Sequence, residues 1–178
     1  MSIVLNTFHF SSILFLILMN FSFVQGNDST IKESLKLGIR EAIVSDSEHI
    51  AILLMQLGYE ISPGQVAEKI QLFSKNDHDK IWVALVDGLI RGALSFNVIN
   101  LLELTQPIGR IDILSVDQSF RRMGIGKALV EVAENYAKHI GCAGVILTSR
   151  NSRHEAHQFY KSLGYQIPET TYFKKTFN

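Results

Sequence analysis

The feature that most constrains this chain is the stretch Val116-Asp117-Gln118-Ser119-Phe120-Arg121-Arg122-Met123-Gly124-Ile125-Gly126-Lys127. It joins an apolar, strand-like run over residues 110–116 to a segment in which Ile125, Leu129, Val132, Ala133, Tyr136 and Ile140 share one helical face. A strand must therefore end, pass through a glycine-bearing loop and turn directly into a helix. Gly124 and Gly126 let the backbone approach a ligand with no Cβ in the way. The first N–H groups of a helix lack intrahelical partners, and the helix dipole adds positive potential there. Arg121, Arg122 and Lys127 place formal charge beside them. Together these residues describe a seat for a pyrophosphate. The plainer alternative is a glycine-rich connection flanked by solvated basic residues. Two commoner phosphate loops are excluded: a Walker loop would need glycine where Arg121 stands and Ser or Thr where Ala128 stands, and a dinucleotide fingerprint would need glycine at Leu129.

The remaining pattern surrounds that unit with alternating elements. Residues 39–44 read as a short strand, and Ser45 with Glu48 as a capping box opening a helix whose apolar face is Ile50, Leu53, Leu54 and Leu57. Ser62-Pro63-Gly64-Gln65 repeats the capping logic before a helix carrying Val66, Ile70 and Phe73. Asp87-Gly88 between apolar runs is a hairpin signal joining strands over 81–86 and 89–98. After the central strand and long helix, residues 144–149 read as a short buried strand, 153–163 as a helix, and 165–167 and 172–175 as terminal strands. The order β-α-α-β-β-β-α-β-α-β-β predicts an α/β (α+β) domain, a mixed sheet with helices on both faces.

Size and charge limit the function classes. A chain of 178 residues with 47% apolar and 19% charged residues is one ordered domain with a little over. Seventeen basic residues against 17 acidic ones give zero net charge, so there is no long-range pull towards nucleic acid or anionic lipid. The lone Cys142 excludes an intramolecular disulfide framework. No Asp, Glu, Lys or Arg precedes Asp28, and the longest apolar run there, residues 13–19, is too short to span a membrane. Residues 1–38 are expected to be an N-terminal extension: a targeting segment, a mis-set start at Met19, or a structured strand. Residues 39–178 are expected to form the folded domain.

The loop and helix start resemble the acyl-coenzyme A signature of the GNAT N-acetyltransferase superfamily, Gln/Arg-x-x-Gly-x-Gly/Ala. Downstream, Ala156-His157-Gln158-Phe159-Tyr160-Lys161-Ser162-Leu163-Gly164-Tyr165 resembles the same family's Ala-x-x-Phe-Tyr-x-x-x-Gly-Phe/Tyr segment. The resemblance covers residues 39–176 and implies a GNAT-like acyl-CoA N-acyltransferase fold, a mostly antiparallel sheet of six to seven strands flanked by helices. It also implies acetyl-CoA as acetyl donor. Backbone N–H groups of Arg121, Arg122, Met123, Gly124, Ile125, Gly126 and Lys127 would hold the pyrophosphate. The strand residues Ile113, Leu114, Ser115 and Val116 would pair with the pantetheine arm and polarise the thioester. Tyr160 matches the residue that protonates the departing thiolate, and Asp112 stands where many members carry an acidic residue able to take the amine's proton through water. For Tyr160 the plain reading is a core tyrosine, and for Asp112 a strand carboxylate paired with Arg110. Arg153 departs from the family, which often has Asn at that position.

The acceptor half of such enzymes corresponds here to residues 57–74 and 98–109, where Glu60 and Glu103 are the carboxylates placed to attract an amine. The expected acceptor is a small-molecule amine or a peptide N-terminus, with no nucleic acid, no stable membrane span and no metal; a homodimer stays open. His154 and His157, three apart, lack a third ligand. Because the donor is cytosolic, a cytoplasmic location is expected, against the signal-like N-terminus. The rival from another class is a non-catalytic acyl-CoA sensor. A nucleic-acid-modifying toxin is disfavoured by the zero net charge.

Overall fold

The computed structural model describes residues 17–20 and 36–177. Six strands lie in chain order across one sheet: β1 (Ile17–Asn20), β2 (Lys36–Glu41), β3 (Lys80–Val86), β4 (Leu89–Ile99), β5 (Ile108–Val116) and β6 (Gly144–Leu147). The helices are α1 (Ser47–Met55), α2 (Pro63–Phe73), α3 (Ile125–His139) and α4 (His154–Ser162). Pairing from β1 through β5 is antiparallel throughout. The sheet thus begins before Ile39, with β1 as an edge strand beside β2. The other expectations for residues 1–26 lie outside the described residues. The chain divides between Ile146 and Leu147 into two compact units.

In the first unit the alternation of strand residues explains the layering. Val83 and Ala93 point to one face and pack with Ile50, Ala51, Leu53, Val66 and Ile70 of α1 and α2. Their neighbours Trp82, Leu94 and Phe96 point to the other face, where Leu129, Ala133 and Ala137 of α3 are also buried. Each of these large apolar side chains contributes about 1.5–3 kcal/mol by leaving water. Phe96, Trp82 and Tyr136 form a three-ring cluster with centroids 5.4–6.0 Å apart. The Asp87-Gly88 turn is built as expected, with φ of 49° and 81° at its two central residues.

Three local expectations are corrected. The Ser62–Gln65 capping box is present, but the Ser45–Glu48 box is not. Instead Asp46 is buried before α1, where its carboxylate accepts from the Ile43 N–H at 2.8 Å and from both Arg40 Nη atoms at 2.6 and 2.9 Å. A charge-assisted bidentate pair outcompetes a serine hydroxyl. Among the described residues after Leu147 there is also no strand, so 165–167 and 172–175 are irregular. Pro168 has no N–H for a ladder, and Ile167, Tyr172 and Phe173 are 65%, 75% and 88% exposed. The strand expected at 144–149 ends at Leu147 and is not buried, with Ile146 47% exposed.

Candidate active site

Strand β5 carries a break in its ladder at the position where the sequence singled out Asp112. Ser95 faces Ile113 and Phe96 faces Ile111, so Asp112 has no opposite residue on β4. Such a bulge leaves backbone groups outside the pairing and bends the strand. The Asp112 side chain is held from two sides: Arg110 Nε lies 2.9 Å from its carboxylate, and the Asn97 amide donates to it. Burial raises its pKa; Arg110 pulls it down, and the neighbouring Asp79 pushes it up again. Asp79 is itself fixed by the Val98 N–H and the Asn76 amide, at 3.1 and 2.8 Å. Ile113, Leu114 and Val116 are half-buried. Ser115 is fully buried, and its hydroxyl donates to the Leu53 carbonyl of α1 at 2.8 Å. Its side chain is committed to the core, leaving only its backbone for a ligand.

Beyond β5 the chain makes a short 3-10 turn over Gln118–Phe120 before reaching α3. Asp117 caps the turn by accepting from the Ser119 N–H at 3.0 Å, and the Gln118 N–H donates to the Gln56 side chain at 3.0 Å. Arg121 Nε reaches back to the Val116 carbonyl at 3.3 Å. The backbone then enters the left-handed region twice, at Arg122 (φ 62°) and Gly124 (φ 81°). Glycine accepts that conformation freely, whereas arginine adopts it at a cost of roughly 1–2 kcal/mol. The N-cap of helix α3 is Gly124, which has no side chain to cap it, and the first turn holds no acidic residue, so neither offsets the positive end of the helix dipole. Ile125, Ala128 and Leu129 are buried and fix the helix to the sheet, while Arg121, Arg122, Met123 and Lys127 are exposed. Lys127 also lies 3.7 Å from Glu131.

In the second unit, Tyr160 sits near the end of α4 with its ring against those of Phe159 and Tyr165, centroids 5.1 and 5.6 Å away. Burial pushes its hydroxyl up to about 12, and the charge of Arg153 pulls the other way. Arg153 occupies the N-cap position of α4, and its carbonyl accepts the His157 N–H at 3.1 Å. The rings of His154 and His157 lie 6.4 Å apart. Among the described residues no group of three or more His, Cys, Asp or Glu is placed to hold a metal, and no helix is long and apolar enough to cross a membrane.

The expected loop and strand residues thus meet in the first unit as one continuous piece of chain, with Asp112 at the bulge. Tyr160 belongs to the second unit. Glu60 and Glu103 are exposed, and Asp79 rather than either of them is the carboxylate that acts on Asp112. Sequence reasoning missed Asp79 and Asn97, which antiparallel pairing brings from two strand ends. It also missed Arg91, whose ion pair with Asp117 at 3.3 Å fixes the entry to the loop. Only the register of the sheet reveals these three.

The profile of the Acetyltransferase (GNAT) family matches residues 44–165. An aminoglycoside N(6')-acetyltransferase type 1 from Acinetobacter haemolyticus is 29% identical over 153 residues, covering 84% of this chain and 94% of that one. Among solved structures, glucosamine-6-phosphate N-acetyltransferase from Arabidopsis thaliana is similar at TM-score 0.68 and 26% identity, over 80% of this chain and 99% of that one. An aminoglycoside N-acetyltransferase in complex with CoA shares the fold at TM-score 0.73 and 18% identity, over 83% of this chain and 99% of that one. The chain belongs to the acetyltransferase (GNAT) family. It is an acyltransferase.

Proposed function

We propose that this enzyme moves the acetyl group of acetyl-CoA onto a primary amine of a small molecule, with an amino sugar as the acceptor class. The observation that carries the reading is the loop from Arg121 to Lys127. Its two left-handed residues and its glycine helix start, beside Arg121, Arg122 and Lys127, supply the exposed N–H groups and positive charge that suit an anion. The names of the relatives support the acceptor class, since both an aminoglycoside and glucosamine-6-phosphate are amino sugars. Asp79 and Asp112 set two carboxylates against the single charge of Arg110 at the bulge, which suits a cationic amine.

In this reading the amine nitrogen, once deprotonated, attacks the thioester carbonyl carbon. An N–C bond forms, the C–S bond breaks, and CoA leaves as a thiolate. Asp112 takes the ammonium proton, directly or through water; a carboxylate whose basicity is raised is the better base for that step. Backbone freed by the bulge polarises the thioester oxygen. Tyr160 gives the thiolate its proton, and the second proton, which the nitrogen sheds as the amide forms, restores Tyr160 through solvent; burial keeps the hydroxyl protonated at neutral pH. The donor places the enzyme in the cytoplasm.

The test is release of free CoA thiol by the full chain with acetyl-CoA and a panel of an aminoglycoside, glucosamine-6-phosphate and a peptide N-terminus. Turnover with an amino sugar supports the assignment. Turnover with the peptide alone removes the acceptor class, and saturable acetyl-CoA binding without turnover of any amine supports the sensor instead.

A further inference from the structure

We infer that Arg91 is a positioning residue for the acetyl-CoA loop, an inference that rests on the proposed donor site. Strand β4 has its own break: Ala84 faces Gly92 but Leu85 faces Ile90, so Arg91 has no opposite residue on β3. Its carbonyl accepts the Asp117 N–H at 2.8 Å. Its Nη1 lies 3.3 Å from Asp117 Oδ2, and its guanidinium sits 4.3 Å from the centre of the Phe120 ring. One residue thereby holds both ends of the 3-10 turn that delivers the chain to Arg121. Asp117 uses its other oxygen to cap that turn at the Ser119 N–H, so the ion pair and the cap are linked through one carboxylate.

The side chain is only 27% exposed, and its Nε is buried with no hydrogen-bond partner among the described residues. Leaving that donor dry is unfavourable, so a stacked, flat guanidinium is being held against its own preference for water. The reason lies downstream. Arg122 is left-handed, with φ 62°, and a non-glycine residue does not hold that conformation by itself. Fixing Asp117 and Phe120 restricts the routes by which the loop can relax. Lysine would keep the charge but not the planar stack.

The test combines acetyl-CoA affinity by calorimetry with steady-state kinetics and amide hydrogen exchange over residues 121–127, for Arg91→Met, Arg91→Lys and Phe120→Leu in the full chain. The expected result for Arg91→Met is a Kd and KM for acetyl-CoA raised about tenfold, equivalent to ~1.4 kcal/mol, with acceptor KM within about twofold and faster exchange across 121–127. Arg91→Lys should restore less than half of the loss, and Phe120→Leu, which keeps an apolar side chain but removes the ring, should reproduce part of it. Unchanged affinity and exchange in a variant that melts lower would reduce Arg91 to a stabilising contact and overturn the inference. If the unaltered protein does not bind acetyl-CoA, the donor reading fails separately, and exchange over 121–127 still decides whether Arg91 orders the loop.

Discussion

Replacing Gly109 by alanine tests whether the aromatic cluster behind the site is as tightly built as its geometry requires. A Cβ at Gly109 would stand 2.5 and 2.6 Å from Cζ and Cε2 of Phe96, and 3.4 Å from the Ala137 Cβ. Carbon atoms in contact sit about 3.5–4.0 Å apart, so the ring has to retreat by about 1 Å. It has little room: Phe96 is fully buried, Trp82 and Tyr136 flank it at 6.0 and 5.8 Å, and the Tyr136 hydroxyl is tied to the Asp77 carbonyl at 2.9 Å. Overpacking of this kind costs about 1–3 kcal/mol, and the closed surroundings place it at the upper end, near 3. The loss of glycine's freedom in the unfolded chain returns about 0.4–1 kcal/mol, leaving a net destabilisation of about 2 kcal/mol. Phe96→Leu removes the two clashing atoms and by itself costs about 1–2 kcal/mol as a large-to-small core change. The double variant should therefore be less destabilised than the sum of the two singles by at least ~1 kcal/mol. Urea unfolding followed by the single tryptophan, buried Trp82, measures all four proteins. Strict additivity would show that the ring is not the obstacle and refute the reasoning.

Ser115→Ala removes the buried hydroxyl from the Leu53 carbonyl and should lower stability by about 1–2 kcal/mol. Its KM for acetyl-CoA should stay within about twofold, because the strand would bind through backbone; a large KM change in calorimetrically intact protein would contradict that. At Asp46, burial would raise the carboxyl, but Arg40 and the Ile43 N–H outweigh it and hold the pKa below the usual range. A depressed native pKa gives stability that is complete above the unfolded value near pH 4 and is lost as pH falls through the native one. Asp46→Asn should thus lower Tm at pH 7 and flatten the acid limb of the Tm-versus-pH curve; an unchanged limb would assign acid sensitivity elsewhere. Tyr160→Phe should reduce kcat by about a hundredfold, with acetyl-CoA KM little altered. With the hydroxyl near 12, Tyr160 should add no alkaline limb below pH 10, whereas Asp112, raised above an ordinary carboxylate, should set an acid limb that Asp112→Asn abolishes. A pH–rate profile on the three proteins checks both.

Much of this was legible in the residues because it is local. The helix faces, the Ser62–Gln65 box, the Asp87-Gly88 hairpin and the Gly124–Gly126 helix start each depend on neighbours within a few positions, and sequence spacing reports such things directly. What remained hidden depends on register. Nothing in the order of residues says that Asp112 and Arg91 fall at breaks in the ladder, since a bulge is a mismatch between two strands and belongs to neither alone. The Asp46 pair shows a second limit: Ser45 and Glu48 satisfy the capping pattern, yet Arg40 one strand earlier captures the adjacent carboxylate. At the C-terminal end, the run of Tyr172 and Phe173 looks like a strand, but strand propensity means little without a partner edge.

If the loop opening α3 is the seat of the donor's pyrophosphate, a thermal melt of the full chain with and without acetyl-CoA will show it. At about 100 times its Kd, a ligand of the native state adds ~2.7 kcal/mol, which for a domain of this size raises Tm by about 5–10 °C. That shift is expected for the unaltered protein, and its loss when Arg121 is replaced by glutamate. No shift at saturating acetyl-CoA, or an undiminished shift in Arg121→Glu, would contradict it.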